Sequence, residues 1–388
     1  MVTSTENERL TRVGAGTPGG ELLRRYWQPL CAAGVITEAN PKMRVRILGE
    51  DLLVYRTDSG EIACIAEFCA HRHASLYYGF IEPGGIRCCY HGWKYNKDGQ
   101  CIVRPFERHT RDDIRLPAYP VQELGGLLFA YMGPNPERAP LLPRWDVLAR
   151  SDGKRNIIVM PVHHCNWLQI QENTVDSVHT YYLHGHMSAV HDLPTMVQGR
   201  YFYRPIRSYD WAVCEWGIEK TLTYGGDKPE LEVRPPLIFP NILRIPEGPI
   251  EALHFRVPID DTHTRIFWVG LRPGKDETVA TRQETTFEYL EDKPFNYGAE
   301  ELKTFYGQDR LVWETQGVIY DRTQETLGDS DRGIVMFREM LAEQIARVER
   351  GDEPTVAVVR DPAKNQIITF ESVTRPTADN EEHVFVAN

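Results

Sequence analysis

The chain has no run of about eighteen consecutive apolar residues of the kind that crosses a bilayer as a helix. Its opening, MVTSTENERL, has no basic segment followed by an apolar stretch. From these two absences we expect a cytoplasmic protein with no membrane association. Cations are in deficit, with 44 Lys and Arg against 55 Asp and Glu and a formal charge of −11. That balance argues against nucleic acid or an anionic membrane surface as the main partner. Internal repeats and low-complexity segments are absent. Cysteine is sparse, eight in 388 residues (Cys31, Cys64, Cys69, Cys88, Cys89, Cys101, Cys165 and Cys214), and scattered rather than packed into a short secreted framework. Such usage favours metal ligation or buried thiols over disulfides. What remains is an ordinary globular composition, 41% hydrophobic and 26% charged, on a chain long enough for two domains.

The pattern along the chain predicts an α+β protein in three parts: an N-terminal helical segment at 1–39, a strand-rich domain at 40–140 and a larger domain at 141–388. The stretch GELLRRYWQPL reads as a short amphipathic helix ended by its proline. Next, MRVRILGEDLLVYRTDSGEIACIAEFC alternates apolar with polar residues and is broken at Gly-Glu-Asp and Asp-Ser-Gly, which predicts strands joined by hairpins. Strands continue through GGLLFAYMG until the proline-dense GPNPERAPLLPRW. Beyond it, residues 166–186 predict one helix, and EALHFRVPI and TRIFWVGLR predict an antiparallel sheet. Two later helices follow. In the first, Leu302, Phe305, Val312, Trp313 and Gln316 share one side and Glu314 projects from the other; the second is DSDRGIVMFREMLAEQIARVERG. The tail after Arg375 is polar and expected to be loosely held.

Within CAHRHASLYYGFIEPGGIRCCYH, Cys69-x-His71 is followed, sixteen residues on, by Cys88-x-x-His91. Two sulfurs and two imidazoles fit either a tetrahedral zinc site or a [2Fe-2S] centre in which two histidines replace two cysteines on one iron. Each histidine here travels with its own cysteine on a loop between strands, which suits two irons. Cys89 and His73 read as neighbours of the site, and Cys64 and Cys101 as packing residues.

An electron carrier alone would need about a third of this chain. In the predicted helix 166–186, Asn173-x-x-Asp176-x-x-His179-x4-His184 supplies two imidazoles and a carboxylate. Non-haem iron(II) that activates O2 uses two histidines and one carboxylate. Positions five apart on an ideal α-helix diverge by about 140°, so His179 and His184 meet at one metal only if the helix is bulged or ending. The third ligand is expected to be Asp309, which lies inside the apolar stripe of the later helix, where a lone carboxylate is costly.

These residues resemble the Rieske non-haem iron oxygenases, in particular the subgroup of phthalate dioxygenase and the aryl O-demethylases. The resemblance is carried by LTRVGAGTPGGELLRRYWQPL, CCYHGWKYNKDGQC and YDRTQETLGDSDRGI and runs over most of the chain. The family usually has Cys-Pro-His-Arg-Gly where this chain has Cys69-Ala70-His71-Arg72-His73. The resemblance implies that Cys69, His71, Cys88 and His91 hold a [2Fe-2S] Rieske cluster and that His179, His184 and Asp309 hold mononuclear Fe(II). It implies that Asp176 bridges the two centres across a subunit boundary in a head-to-tail homotrimer. The fold implied is a Rieske β-sandwich followed by a helix-grip catalytic domain with a curved antiparallel sheet. Electrons would come from a separate reductase or ferredoxin, because the chain has no flavin or nicotinamide fingerprint. The activity implied is O2-dependent hydroxylation or O-demethylation of a small aromatic acid. The alternatives are N-demethylation or alicyclic hydroxylation on the same machinery, or a zinc-stabilised binding protein without redox activity. Pocket residues are expected from strands between about 200 and 275 and from the 166–186 helix.

Overall fold

A computed structural model describes residues 2–108, 113–187, 204–227, 230–245, 250–274, 285–298, 300–370 and 373–374. Two short helices open the chain, α1 (Ser4–Thr11) and α2 (Pro18–Leu23), each capped by a threonine hydroxyl that accepts a backbone N–H, Thr3 from Glu6 and Thr17 from Gly20. The helix expected over GELLRRYWQPL stops at Leu23, so residues 1–39 are not helical throughout. The end of that stretch is β1 (Gln28–Ala32), fully buried and paired antiparallel with Leu127–Ala130. Its register shifts between Pro29 and Cys31. A proline has no N–H to give the ladder, and a bulge is where a strand tolerates one.

Residues 42–66 form β2 (Lys42–Ile47), β3 (Glu50–Arg56) and β4 (Ile62–Ala66), as the alternation predicts. Leu48 and Gly49 turn the first hairpin with φ of 49° and 78°, the left-handed pair whose twist suits a tight hairpin. A second sheet runs β5 (Phe80–Glu82), β6 (Gly85–Arg87), β7 (Lys94–Tyr95) and β8 (Cys101–Val103), while β9 (Ala118–Tyr119) extends the first. Side chains of β3 alternate between two cores. Leu53 and Tyr55 join Ile86, Tyr95, Cys101 and the sulfurs of Cys69 and Cys88 between the two small sheets. Leu52 and Val54 point the other way into the large core. β10 (Val121–Leu124) and β11 (Leu127–Ala130) complete a three-stranded sheet with β1.

After a short helix α3 (Asp146–Ala149), a large sheet begins with β12 (Gly153–Val159). It continues with β13 (Ile206–Cys214), β14 (Gly217–Tyr224), β15 (Leu231–Val233), β16 (Leu237–Ile238), β17 (Ile242–Ile245), β18 (Glu251–Pro258), β19 (Thr264–Pro273), β20 (Thr285–Tyr289) and β21 (Val373–Thr374). Among the described residues it has ten strands in the order β20-β12-β19-β18-β17-β16-β14-β15-β21, with β13 added to β14. Every pairing is antiparallel except β12 with β20, which is parallel. β18 shows how the sheet separates its two faces. Leu253, Phe255 and Val257 enter the large core, where Phe255 meets Phe129 at 5.6 Å, whereas Arg256 reaches the helix that carries the site.

That helix is α4 (Trp167–Val175), begun by Asn166, whose side chain accepts the Leu168 N–H at 3.0 Å. Asn173 is its single residue that is not buried. A helix buried all round must bring partners for its polar groups. Gln169 donates to the carbonyls of Trp313 and Gly317 at 2.7 and 2.8 Å. The Glu172 carboxylate takes both prongs of Arg322 at 2.8 Å and a third donor from Arg338 at 2.6 Å, and Glu325 also holds Arg338. Two arginines thus meet two carboxylates, and burial is offset without a net charge. The C-terminal helices are α5 (Phe305–Thr315) and α6 (Arg332–Glu349), the latter ended by Gly351 at φ 85°. Gln316, expected on the buried stripe, is exposed because α5 ends before it, and the Glu314 side chain, 7% exposed, is covered in an ion pair with Arg310 at 2.8 Å. The N-terminal helices dock on this assembly: Arg322 donates to Asn7, and Val13 donates to Asp261. The tail beyond Arg375 lies outside the described residues.

Replacing Glu172 by Ala leaves Arg322 buried without its carboxylate, and breaking a buried pair from one side costs about 3–5 kcal/mol. The expected result is a lower urea midpoint for Glu172→Ala, with Glu172→Gln intermediate. Wild-type midpoints would mean the network contributes nothing.

Candidate metal centres

The loops at 69–74 and 88–93 are folded by the same four hydrogen-bonding groups. The N–H four residues after each cysteine donates to its carbonyl, His73 to Cys69 at 2.9 Å and Gly92 to Cys88 at 3.1 Å. Each cysteine N–H donates to the carbonyl five residues on, Cys69 to Ala74 at 3.0 Å and Cys88 to Trp93 at 2.8 Å. The residue that closes each loop is left-handed, His73 at φ 56° and Gly92 at φ 76°. Histidine is among the residues that tolerate that region, which is why His73 stands here where the family usually has glycine. Stacking of its ring on Phe68 at 5.8 Å adds support.

Both cysteines are buried, at 1% and 2% exposure, and the Tyr95 hydroxyl lies 3.1 Å from Cys69 Sγ. The imidazoles stand together on the outer side. The rings of His71 and His91 are 4.5 Å apart, and His71 stacks flat on Trp93 at 4.6 Å. Burial pushes the Cys69 thiol up, Tyr95 partly offsets this, and the Cys88 sulfur adds to the rise. The buried Nδ1 of His71 has no protein hydrogen-bond partner, as a metal-facing nitrogen should not. A single tetrahedral ion would draw all four donors within about 4 Å of one another. Among the described residues only His179, His184 and Asp309 form a group within 4.8 Å. Sulfurs paired on one side and nitrogens on the other suit a two-iron cluster and not one zinc ion. Cys89 is exposed, and Cys64 and Cys101 are buried strand residues.

The expected single helix over 166–186 is two elements. α4 ends at Val175, Asp176 is extended (φ −72°, ψ 124°), and a π-helix runs over Thr180–His186. Asp176 enforces the break with its own carboxylate, whose Oδ1 accepts the N–H of Val178 at 3.0 Å and of His179 at 3.4 Å. Trp211 and Lys220 take the carbonyls of Val175 and Asp176, at 2.8 and 3.0 Å. Asp176 therefore does not share a helical face with His179, but its Oδ2 still lies 3.6 Å from His179 Nδ1. The wider turn of a π-helix turns residues five apart toward one side, and the rings of His179 and His184 are 5.3 Å apart.

Asp309 comes from α5 to meet them, its Oδ1 3.9 Å from His179 Nε2 and 3.4 Å from His184 Nε2. Two donors on one ion with bonds of about 2.1 Å lie about 3.0 Å apart at a right angle and about 4.2 Å apart when opposite, so these gaps fit a single metal ion. Burial opposes the Asp309 charge, yet His184, His179 and Arg256 hold the carboxyl below its usual range. Asp176 behaves likewise: burial works against its charge, but His179 and Lys220 keep its pKa at about 2. Asn173 joins the group, its amide nitrogen 3.3 Å from both His179 Nε2 and Asp309 Oδ1.

Three residues around this centre were not singled out in the sequence. From β18, His254 presents a buried Nε2 without a protein partner, its pKa lowered to about 3 by burial and by Arg256. Arg256 donates to the Ile170 carbonyl and the Thr174 hydroxyl, covers the Trp313 ring at 5.4 Å, and has its pKa lowered to about 10 by burial. Gln308 lies 2.8 Å from His184 Nδ1. The i, i+2 spacing of His254 and Arg256 on an alternating strand was the available signal, but strand periodicity does not say which face looks at a metal.

Fold and site together define a metalloprotein with a sulfur–imidazole centre on a small β-domain and a two-histidine, one-carboxylate centre against a large sheet. Residues 26–120 match the model of the Rieske [2Fe-2S] domain, and residues 288–385 match the model described as LigXa C-terminal domain like. The chain is 35% identical to the 5,5'-dehydrodivanillate O-demethylase oxygenase subunit of Sphingobium sp. (strain NBRC 103272 / SYK-6), over 97% of this chain and 88% of that protein. It is 34% identical to the phenoxybenzoate dioxygenase subunit alpha of Ectopseudomonas oleovorans, over 89% of this chain and 86% of that one. Among solved structures, the terminal oxygenase of carbazole 1,9a-dioxygenase from Nocardioides aromaticivorans IC177 shares the fold, with a TM-score of 0.61 and 20% identity over 88% of this chain and 96% of that one. The chain belongs to the Rieske non-haem iron oxygenases. It is a terminal oxygenase component, an enzyme whose cofactors are a [2Fe-2S] Rieske cluster and a mononuclear iron.

Hydrogen bonds to cluster sulfur favour the reduced form. Tyr95→Phe removes the hydroxyl beside Cys69 and keeps the ring, so redox titration is expected to show a midpoint potential lower by some tens of millivolts, with the visible spectrum retained. An unchanged potential would mean that Cys69 Sγ does not face the cluster.

Proposed function

We propose that this oxygenase takes electrons from a separate reductase or ferredoxin and uses O2 to hydroxylate or O-demethylate a small aromatic acid. Cys69, His71, Cys88 and His91 hold the cluster, and His179, His184 and Asp309 hold the iron. The observation that carries the assignment is the convergence of those last three donors within 4.8 Å. When bound, the cluster supplies single electrons and the iron binds and activates O2. The chain's own groups do the rest. A metal held by Asp309 and the two imidazoles would keep further positions free for O2. His254, unpartnered and held neutral, can donate or accept one hydrogen bond at the acidic or phenolic end of a substrate. Asn173 donates to Asp309 Oδ1 and steadies that carboxylate.

The substrate class is supported by the names of two relatives, each of which combines an aromatic acid with an aryl ether. For a methyl ether, one oxygen atom enters a methyl C–H bond and the hemiacetal collapses to a phenol and formaldehyde. The other oxygen atom leaves as water, which consumes two electrons and two protons. We place the protein in the cytoplasm as a homotrimer, with a Rieske domain near 40–140 and a catalytic domain from 141. No helix among the described residues is long and apolar enough to cross a membrane.

Methoxylated and plain aryl acids, screened with a generic reductase, are expected to give substrate-dependent formaldehyde in at least one case. Asp309→Ala should lose iron and turnover and keep the cluster spectrum; normal turnover would place the third ligand elsewhere. In the trimer, Asp176 would join His179 to a cluster histidine of the adjacent subunit. Asp176→Asn should keep both metals and the trimer, and slow cluster reoxidation by orders of magnitude when prereduced enzyme meets substrate and O2. Reoxidation at the wild-type rate would rule that route out.

A further inference from the structure

We infer that Gln308 is a positioning residue for the reaction: its side-chain carbonyl holds His184 in the tautomer and ring orientation that present Nε2 to the iron. This rests on the assignment of His184 as an iron ligand. Gln308 is fully buried, and its amide has its two ends on different partners. Nε2 donates to the Leu302 carbonyl at 2.9 Å, and Oε1 lies 2.8 Å from His184 Nδ1. The direction of that second bond follows from the first. A backbone carbonyl only accepts, so the NH2 end of the amide must face Leu302, and the oxygen must face the imidazole. Nδ1 therefore carries the proton, and the lone pair is on Nε2, the nitrogen 3.4 Å from Asp309 Oδ1.

One face of α5 delivers all of this. Phe305, Gln308 and Asp309 stand at i, i+3 and i+4, spacing that puts them on one side of a helix. Phe305 meets the His184 ring edge-on at 4.8 Å and 77°. Gln308 sets its proton and Asp309 shares its metal. The same helix thus supplies a ligand and the two groups that aim its neighbour, and the amide is anchored in turn at Leu302 in the 3-10 turn Glu301–Lys303. The two iron histidines have outer partners of different charge. His179 has the anionic Asp176, while His184 has a neutral amide that fixes the tautomer without adding another negative charge beside Asp309.

The test uses full-length enzyme with its cluster in place, mononuclear metal removed by chelation, and Co(II) as the titrating probe, followed by its ligand-field bands. Outer partners of metal-bound histidines contribute about 10–100-fold in metal affinity. Gln308→Met, of similar volume but without the acceptor, is expected to weaken Co(II) binding by that range and to shift the bands, with the cluster spectrum unchanged. Gln308→Glu keeps an acceptor oxygen at the same reach and is expected to bind within a few-fold of wild type. A packing role alone would instead make the buried acid at least as damaging as methionine, and that result would overturn the proposal. If Gln308→Met does not fold, Gln308→Asn, which withdraws the acceptor by one methylene, should weaken binding in the same direction; wild-type affinity and bands there would overturn it. His184→Ala separates the two levels. Loss of Co(II) in His184→Ala with wild-type binding in Gln308→Met rejects the role of Gln308 and keeps the ligand set, whereas retention of Co(II) in His184→Ala removes the ligand assignment and the proposal with it.

Discussion

The grip of Glu172 on Arg322 and Arg338 is the interaction on which the proposed iron site depends. Helix α4 has to be buried on nearly every side, because it lies between the large sheet and the C-terminal helices and ends at the residues that face the metal. A helix in that position cannot use solvent to satisfy its polar side chains. Glu172 meets both arginines at 2.6 to 2.8 Å, and Gln169 takes two carbonyls from the end of α5 and the turn beyond it. These bonds lock α4 to the same segments that present Asp309. The carboxylate and the histidines therefore keep a constant relation, as a metal site held to within fractions of an ångström requires.

The break at Asp176 answers a geometric conflict. A continuous α-helix through 186 would turn His179 and His184 about 140° apart, and no single ion could take both. An extended residue followed by a π-turn resets the phase. The same residue provides the carboxylate beside His179 Nδ1, so one side chain caps the new turn through one oxygen and brings its charge to within 3.6 Å of a histidine with the other. Trp211 and Lys220 reach in from β13 and β14 for the carbonyls that the break exposes, and the sheet thereby stabilises an interruption that the local sequence would not maintain alone.

What could be read in advance follows how local each determinant is. The four residues proposed for the cluster fall within 69–91, and their spacing is set by two short loops, so sequence distance and spatial distance agree. That Asp309 would turn toward the two histidines was legible because a carboxylate inside an apolar stripe is expensive wherever the stripe packs. The hairpin of β2 and β3 was legible because alternation and turn residues are both local. The failures share the opposite property. β1 looked helical until its partner, about a hundred residues later, was known. Glu314 was assigned to the outer face, yet Arg310 and the His164 N–H enclose it. Nothing near Glu172 announces arginines 150 and 166 residues away, and a glutamine such as Gln308 resembles any helix-surface residue until a histidine from another element stands against it.

Charge accounts for the choice of side chains around the iron. Three carboxylates lie on or next to α4 and α5, and each has cations of its own: Glu172 has Arg322 and Arg338, Asp176 has Lys220, and Asp309 has Arg256 together with the imidazoles. Arg256 is held in turn by the Ile170 carbonyl and by the face of Trp313, an arrangement that keeps a guanidinium charged where an ammonium ion would more readily lose its proton. A carboxylate beside His184 would have needed a further cation close to it. An amide accepts the imidazole proton without that requirement, and the ionic balance of the site then depends only on groups that already have partners.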